Sequence, residues 1–406
     1  MDSVRNYKSQ QEKDIEMQTS TTVQRPNENR NNIQSDKHFD DLLTSRRLRP
    51  KKWKELLYNK TYHIYTTKSG KPFIWAYWDS PNVPDPLRLS LASIKCHNEA
   101  DFQLQLLKST DIYQWVDHVH PAFPLLIPAH QGDYFRARVL DEYGGIYVDV
   151  DSIGFDSFRT LLLKLAWYDV VNVSWQPDGD LISITTMGPM RARNALTAAW
   201  VTKLHLALDL KYERLMEFAV TAEDEKDQLQ LPANTTITIT SLPAYPFGWS
   251  ELAREVVVPI VDELVAANRL SYFILNGPMT FGQLIMATGG DPTDQLQDGD
   301  GPGDSFKFHN TELLMYHSSQ MSQETLYMSL SELVDSSETL LAELLRLSFA
   351  KCRSNRAKSH GLPAAATTPT DPQRLYYYVI PPKQRSLRRN TELTKWIKEY
   401  FAAQEL

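Results

Sequence analysis

Two carboxylates one residue apart, Asp149 and Asp151, follow the apolar run Ile146-Tyr-Val148, which itself follows the glycine pair Gly144-Gly145. The apolar run reads as a strand that carries Ile146 and Val148 inward. Alternation along it places Asp149 and Asp151 on one side. Two acidic groups on one edge repel each other, so the pair calls for a cation. A hard divalent ion, Mn²⁺ or Mg²⁺, is held by one or two carboxylates with phosphate oxygens and water completing its shell. Such an ion neutralises charge that grows on a departing diphosphate. The pair is therefore read as a metal site for chemistry on a diphosphate-linked substrate.

The residues before the strand must aim it. Gly132-Asp133 precedes a helical run with apolar Phe135, Val139, Leu140 and Tyr143. Gly144 suits the left-handed stop that ends such a helix. Helix, glycine stop, buried strand and acidic pair then follow in order, which brings acidic oxygens to the end of a strand, where α/β proteins hold ligands. Asp133 and Arg136 lie one turn apart on the helix. Asp156, five residues past Asp151, reads as the cap of a helix from Ser157 to Leu165. An isolated Asp-x-Asp is common and a solvated turn accounts for most of them. The long pattern Asp-Tyr-x-Arg…Leu-x-x-Tyr-Gly-Gly-Ile-Tyr-x-Asp-x-Asp is far more specific.

The chain has 406 residues, 42% hydrophobic and 23% charged, with a net charge of -7. That is enough for a sizeable core, and the acidic balance argues against nucleic acid as the main partner. Its two cysteines, Cys96 and Cys352, are too few for a disulfide framework. A reducing compartment fits them, and so does an oxidising one with free thiols. The N-terminus has no apolar signal core, and no apolar run is long enough to span a membrane. Sequons occur at Asn59, Asn172 and Asn234, and chance supplies a few in a chain of this length.

Three regions are predicted. Residues 1–60 form a polar, disordered tail. It closes on a basic stretch over 45–60, which reads as a solvated linker or as a peripheral contact with an anionic membrane. Residues 61–353 form the folded domain. Residues 354–406 hold a linker, Ser354 to Asp371, and a last helix, Thr391 to Gln404. Within the domain, Phe73–Trp78, Phe102–Leu107, Val170–Trp175 and Ile182–Met187 read as strands. Leu87–His97, Ile112–Val119, Met190–Leu210, Val256–Ala267 and Asp335–Cys352 read as helices. Thr221–Gln230 reads as a charged insertion. Strands alternating with helices argue for an α/β unit on a mainly parallel sheet.

With these residues in view, the chain resembles the glycosyltransferases whose sugar-binding region carries a DXD motif, including family 32 and the related capsular polysaccharide synthesis proteins. The resemblance is strongest from His130 to Phe155. It extends more loosely to Ile74-Trp-Ala-Tyr-Trp-Asp79 and to Asn98–Leu107, and covers Phe73 to Met190 in all. It implies the GT-A fold, a Rossmann-like α/β/α sandwich with a mainly parallel central sheet, here with added C-terminal helices. It also implies Mn²⁺ (or Mg²⁺), a nucleotide sugar donor, UDP- or GDP-linked, a glycan or lipid-linked acceptor, and retention of anomeric configuration.

Placed on matching positions, the resemblance gives Asp149 and Asp151 the metal and the donor, with Asp151 the direct ligand. Asp133 would bond the donor sugar's hydroxyls, and Arg136 would orient that carboxylate or meet phosphate. Gly144 and Gly145 would let backbone pass close to the donor. One of Tyr77 and Trp78 would stack on the base, with a core role as the alternative. His317, ending the run Glu312-Leu-Leu-Met-Tyr-His317, stands as a third metal ligand or as a surface histidine. Asn276-Gly-Pro278 is similar to the family's Gly-Pro segment near the acceptor, ahead of a helix from Met279 to Met286. Eukaryotic members often carry a membrane anchor and work in the Golgi; the missing apolar segment turns the expectation toward the cytoplasm or a peripheral membrane site. The rival reading is a catalytically inactive sugar- or nucleotide-binding protein on the same scaffold.

Overall fold

The computed structural model describes residues 56–80, 82–173, 186–228, 245–275, 281–283, 307–308, 313–315, 326–336, 339–359, 378–379 and 391–404. In chain order the strands and helices are β1 (Leu57–Asn59), β2 (Ile64–Thr66), β3 (Phe73–Tyr77), α1 (Asp85–Asn98), β4 (Gln103–Leu107), α2 (Ile112–Trp115), α3 (Pro128–Tyr143), β5 (Gly145–Val148), β6 (Ser152–Gly154), α4 (Arg159–Lys164), β7 (Val170–Val173), β8 (Thr186–Met190), α5 (Ala195–Gln228), α6 (Arg254–Ala266), β9 (Tyr272–Leu275), β10 (Phe281–Gln283), β11 (Lys307–Phe308), β12 (Leu313–Met315), α7 (Leu340–Ser359), β13 (Tyr378–Val379) and α8 (Thr391–Ala402).

Six strands form the central sheet in the order β4-β3-β5-β8-β7-β9. Pairing is parallel for β3 with β4, β3 with β5, and β7 with β9, while β8 runs antiparallel to both β5 and β7. The expected mainly parallel α/β sandwich is thus present. Alternation along the strands divides its two cores. Ile74, Ala76, Ile146, Val148 and Val171 face a cluster with Leu91 and Ile94 of α1, Leu345 of α7, and Ile397 of α8. Phe73, Trp75, Tyr77, Tyr147 and Val170 face the other, with Phe135 of α3, Trp200 of α5, and Ile260 of α6. A second, three-stranded sheet, β10-β12-β6, continues directly from the segment after β5.

The strands β3, β4, β5 and β7 lie where periodicity puts them, whereas β9 was not expected. Several boundaries differ. Helix α2 stops at Trp115, because Val116 is extended. Helix α3 opens at Pro128, whose fixed φ suits a first helical position. Helix α5 runs on to Gln228 through the charged residues read as an insertion; they include no Gly or Pro to stop it. Phe281–Gln283, expected inside a helix, is strand β10, because it pairs parallel with β12. Helix α7 begins at Leu340, after a π-helical turn at Glu332–Ser336, and continues past Ser354 to Ser359. Asp156 is not the cap of α4. That helix starts at Arg159 without a side-chain cap, and the Asp156 carboxylate pairs with Lys351 at 3.0 Å.

The cysteines also differ from expectation. Cys96 on α1 and Cys352 on α7 are joined in a disulfide, with Cα atoms 6.2 Å apart. They are 256 residues apart in sequence, so only the fold of α7 against α1 brings them together. Of the sequons, Asn172 is fully buried in β7, and Asn59 ends β1, where its Oδ1 accepts the Thr61 N–H at 3.0 Å. Asn234 lies outside the described residues. Among the described residues no helix is long and apolar enough to cross a membrane.

Gly145 marks the tightest point of the sheet. It has φ +97°, and a Cβ there would lie 2.5 Å from the Phe73 carbonyl oxygen on β3. Both the dihedral and the approach exclude a side chain. Gly145→Ala should therefore cost more than about 3 kcal/mol of stability, through strain plus separation of β3 from β5. Urea unfolding would show it; a midpoint equal to that of the parent chain would refute this reading of the strand pair.

Candidate active site

The strand order turns back between β3 and β5: β4 follows β3 on one side, and β5 enters on the other. In open α/β sheets ligands bind beyond the carboxyl ends of the strands at such a point. Trp75 on β3 pairs with Tyr147 on β5, so two residues further on lie Tyr77, at the end of β3, and Asp149, just past the end of β5. Trp78 and Asp151 come next. Helix α3 runs back antiparallel to β5, which brings its first turns, with Asp133 and Arg136, to the same end.

Arg136 ties these parts together. Its Nη2 donates to Asp149 Oδ1 at 2.7 Å, and its Nη1 donates to Asp133 Oδ1 at 3.1 Å. The guanidinium lies over the Tyr147 ring, 4.5 Å from its centre. Tyr147 and Asp149 point the same way along the chain, so one cation spans a ring and two carboxylates. Burial opposes the charge on Arg136, but Asp149 and Asp133 more than offset it and hold it protonated.

Electrostatics set the site apart from a structural ion pair. Burial pushes the Asp149 carboxyl up to about 7, against Arg136, and Asp151 and Asp133 add to the rise. A quarter of the Asp149 side chain still meets solvent. Burial raises Asp133 as well, against the charges of Arg136 and His130. Two carboxylates share one guanidinium with Asp151 close to Asp149, and the excess negative charge is what a cation would relieve. Among the described residues no three His, Cys, Asp or Glu side chains converge to hold a metal alone. The donor set suits an ion that takes one or two carboxylates and completes its shell from a diphosphate and water.

Asp149 and Asp151 share a side for a different reason from the one expected. Strand β5 ends at Val148, and both acids lie in the turn before β6. Val150 between them is 6% exposed and belongs to the core on the α1 face. Burying Val150 leaves its two neighbours at the partly exposed surface of the turn.

The other predicted residues divide. Tyr77 is in the core: its ring packs on Phe135 and its hydroxyl donates to Gln131 Oε1 at 2.7 Å. Trp78 is half-buried at the strand end, with Nε1 directed to the Asn82 carbonyl at 3.4 Å. Gly144 and Gly145 sit at the opposite end of β5 from Asp149. A Cβ on Gly144 would meet the Met190 carbonyl oxygen at 2.6 Å, so strand packing accounts for both glycines and the expected passage beside the donor does not. His317, Asn276 and residues 45–55 of the basic stretch lie outside the described residues.

Two contributors escaped the sequence reading. Tyr147 carries a signal, being two residues before Asp149 on one strand. His130, one turn before Asp133, is fully buried. Its Nδ1 lies 2.9 Å from the Tyr245 hydroxyl and its Nε2 lies 3.2 Å from the Trp249 carbonyl. It ties the start of α3 to a distant segment that spacing alone does not connect.

Residues 13–166 match the glycosyltransferase sugar-binding region containing the DXD motif, a span that holds Asp133, Arg136, Asp149 and Asp151. No curated protein matches the chain. Among solved structures it is similar to the PaToxG glycosyltransferase, with 11% identity, 47% of this chain and 84% of that one covered, and a TM-score of 0.24. It is also similar to the glycosyltransferase GlyE of Streptococcus pneumoniae TIGR4, with 13% identity, 73% and 66% covered, and a TM-score of 0.33. The acidic turn with Asp149 and Asp151 thus lies inside the stretch that is similar to this DXD-containing region.

Proposed function

We propose that the chain transfers a hexose from a UDP- or GDP-linked sugar to a glycan or lipid-linked acceptor, with retention, using Mn²⁺ or Mg²⁺. The observation that carries this is the pairing of Asp133 and Asp149 with the one guanidinium of Arg136, with Asp151 beside Asp149, at the switch point of the sheet. When bound, the metal supplies charge stabilisation for the diphosphate leaving group. Asp151 is the direct ligand. Asp149 contributes a second oxygen while Arg136 holds its carboxylate in place. Asp133, fixed by the same guanidinium, accepts hydroxyls of the donor sugar. Trp78 offers its half-buried face to the base, whereas the buried Tyr77 supports it from the core.

His317 is kept as a further ligand. It follows β12 by two residues, and Met315 at the end of β12 pairs with Ser152, the residue after Asp151. For location, the Cys96–Cys352 disulfide weighs toward an oxidising compartment, against the cytoplasmic setting that the sequence favoured.

Two outcomes follow. Asp151→Asn should lower Mn²⁺-dependent transfer by about 100-fold or more while leaving the melting temperature within a few degrees. Nucleotide release from a panel of UDP- and GDP-sugars measures it, and full activity would sink the assignment. The second concerns pH. The folded-state value of Asp149, about 7, exceeds the ordinary 3.8. The metal-free fold therefore binds the extra proton, and its stability falls as pH rises through that window. Mn²⁺ competes with that proton. The thermal shift given by Mn²⁺ should accordingly grow from pH 5.5 to 8. A shift independent of pH would remove Asp149 from the metal site.

A further inference from the structure

Strand β6, which leaves Asp151 at once, is an edge of the small sheet, paired among the described residues on one side only, with β12. Its outward groups at Gly154 are taken by side chains instead. The Gly154 N–H donates to Ser93 Oγ of α1 at 2.9 Å, and the Gly154 carbonyl accepts the Ser348 hydroxyl of α7. The approach is so close that a Cβ on Gly154 would lie 2.7 Å from Ile94 Cα. The next residues are held by the same two helices. Asn98 of α1 accepts the Phe158 N–H at 2.7 Å, and Lys351 of α7 meets Asp156 at 3.0 Å.

The two helices are themselves bound together. Cys96 is bonded to Cys352, one turn after Ser348, and His97 Nε2 lies 3.1 Å from the Ser348 carbonyl. Burial pulls His97 down to about 4, so the ring is neutral at ordinary pH. Ser93 and Ser348 are both fully buried. Leaving one of their partners unsatisfied is costly in such surroundings, so the pair fixes Gly154 more firmly than apolar packing would.

We infer that α7, outside the matched residues 13–166, is a positioning element for the metal-binding turn: Ser348, held on α1 by the Cys96–Cys352 bond, clamps β6 and so sets where Asp151 stands. Ser348 and the disulfide touch neither donor nor metal and act through Gly154. The inference rests on the proposed role of Asp151.

The test uses the full chain in four forms: parent, Ser348→Ala, Ser348→Thr, and parent reduced with a phosphine. Hydrogen exchange followed by mass spectrometry compares Val150–Gly154 with β3, and Mn²⁺ alone is titrated by electron paramagnetic resonance. Ser348→Ala and the reduced parent should exchange Val150–Gly154 about tenfold faster with β3 unchanged. They should bind Mn²⁺ about tenfold more weakly, and Ser348→Thr should recover both. Unchanged exchange at Val150–Gly154, or an equal rise in β3, would overturn the clamp, because the contacts would then only stabilise the fold. Should Ser348→Ala not fold, the reduced parent gives the same reading. If the parent binds no Mn²⁺ yet Val150–Gly154 loosens selectively, the clamp stands and the metal reading fails.

Discussion

The Arg136 guanidinium is the constraint on which the site depends. It has to reach Asp133 on its own helix and Asp149 beyond the next strand, while lying on Tyr147 between them. That geometry exists only if α3 turns back sharply into β5 and β5 sits close against β3. Gly144 and Gly145 supply the turn and the close approach. The glycines and the acids are therefore one device, although the glycines lie at the far end of the strand. Buried ion pairs are weak sources of stability, since desolvation offsets their attraction. Two carboxylates on one cation, with Asp151 close by, are worse than a pair, and burial with these neighbours raises Asp149. An arrangement that costs stability in the bare protein is better explained by a ligand that completes it.

The sheet does the rest by alternation. Every second residue of β3 and β5 belongs to one core or the other. Tyr147 faces α3 and can carry the guanidinium, while Ile146 and Val148 face α1 and α7. The pattern passes into the acidic turn through Val150, whose burial substitutes for strand geometry once the strand has ended. Replacing alternation by a buried anchor keeps both acids on the outside without a ladder of hydrogen bonds.

Much of this was legible in the sequence. The order helix, glycine, strand and acids needed only periodicity and the left-handed preference of glycine, and the donor-side acids came with it. What was not legible depended on distance along the chain. Cys96 and Cys352 read as unconnected because nothing in their surroundings encodes the docking of α7 on α1. Phe281–Gln283 read as helix because the parallel partner that makes it a strand is remote. Asp156 read as a helix cap because local spacing allowed it, whereas Lys351, its partner, is supplied by α7. The glycines were legible as a helix stop, but their neighbours are backbone atoms of β3 and β8 that no spacing rule reveals.

Two of these misses share a cause, and it bears on how the chain is organised. The disulfide and the Asp156–Lys351 pair each join a segment after residue 166 to an element of the first half. The central sheet takes β8, β7 and β9 from beyond the acidic turn, and the edge of β6 is closed by α7 rather than by a strand. An edge with unmet N–H and C=O groups invites pairing with other chains. Here two serines meet those groups, which leaves the acidic turn at the rim and denies the edge to another strand. The turn that carries Asp149 and Asp151 is thus followed by an edge strand that α7 and α1 hold from outside the small sheet. A chain cut after residue 166 would keep Asp133, Asp149 and Asp151 but lose β7, β8 and β9 of the central sheet and helix α7.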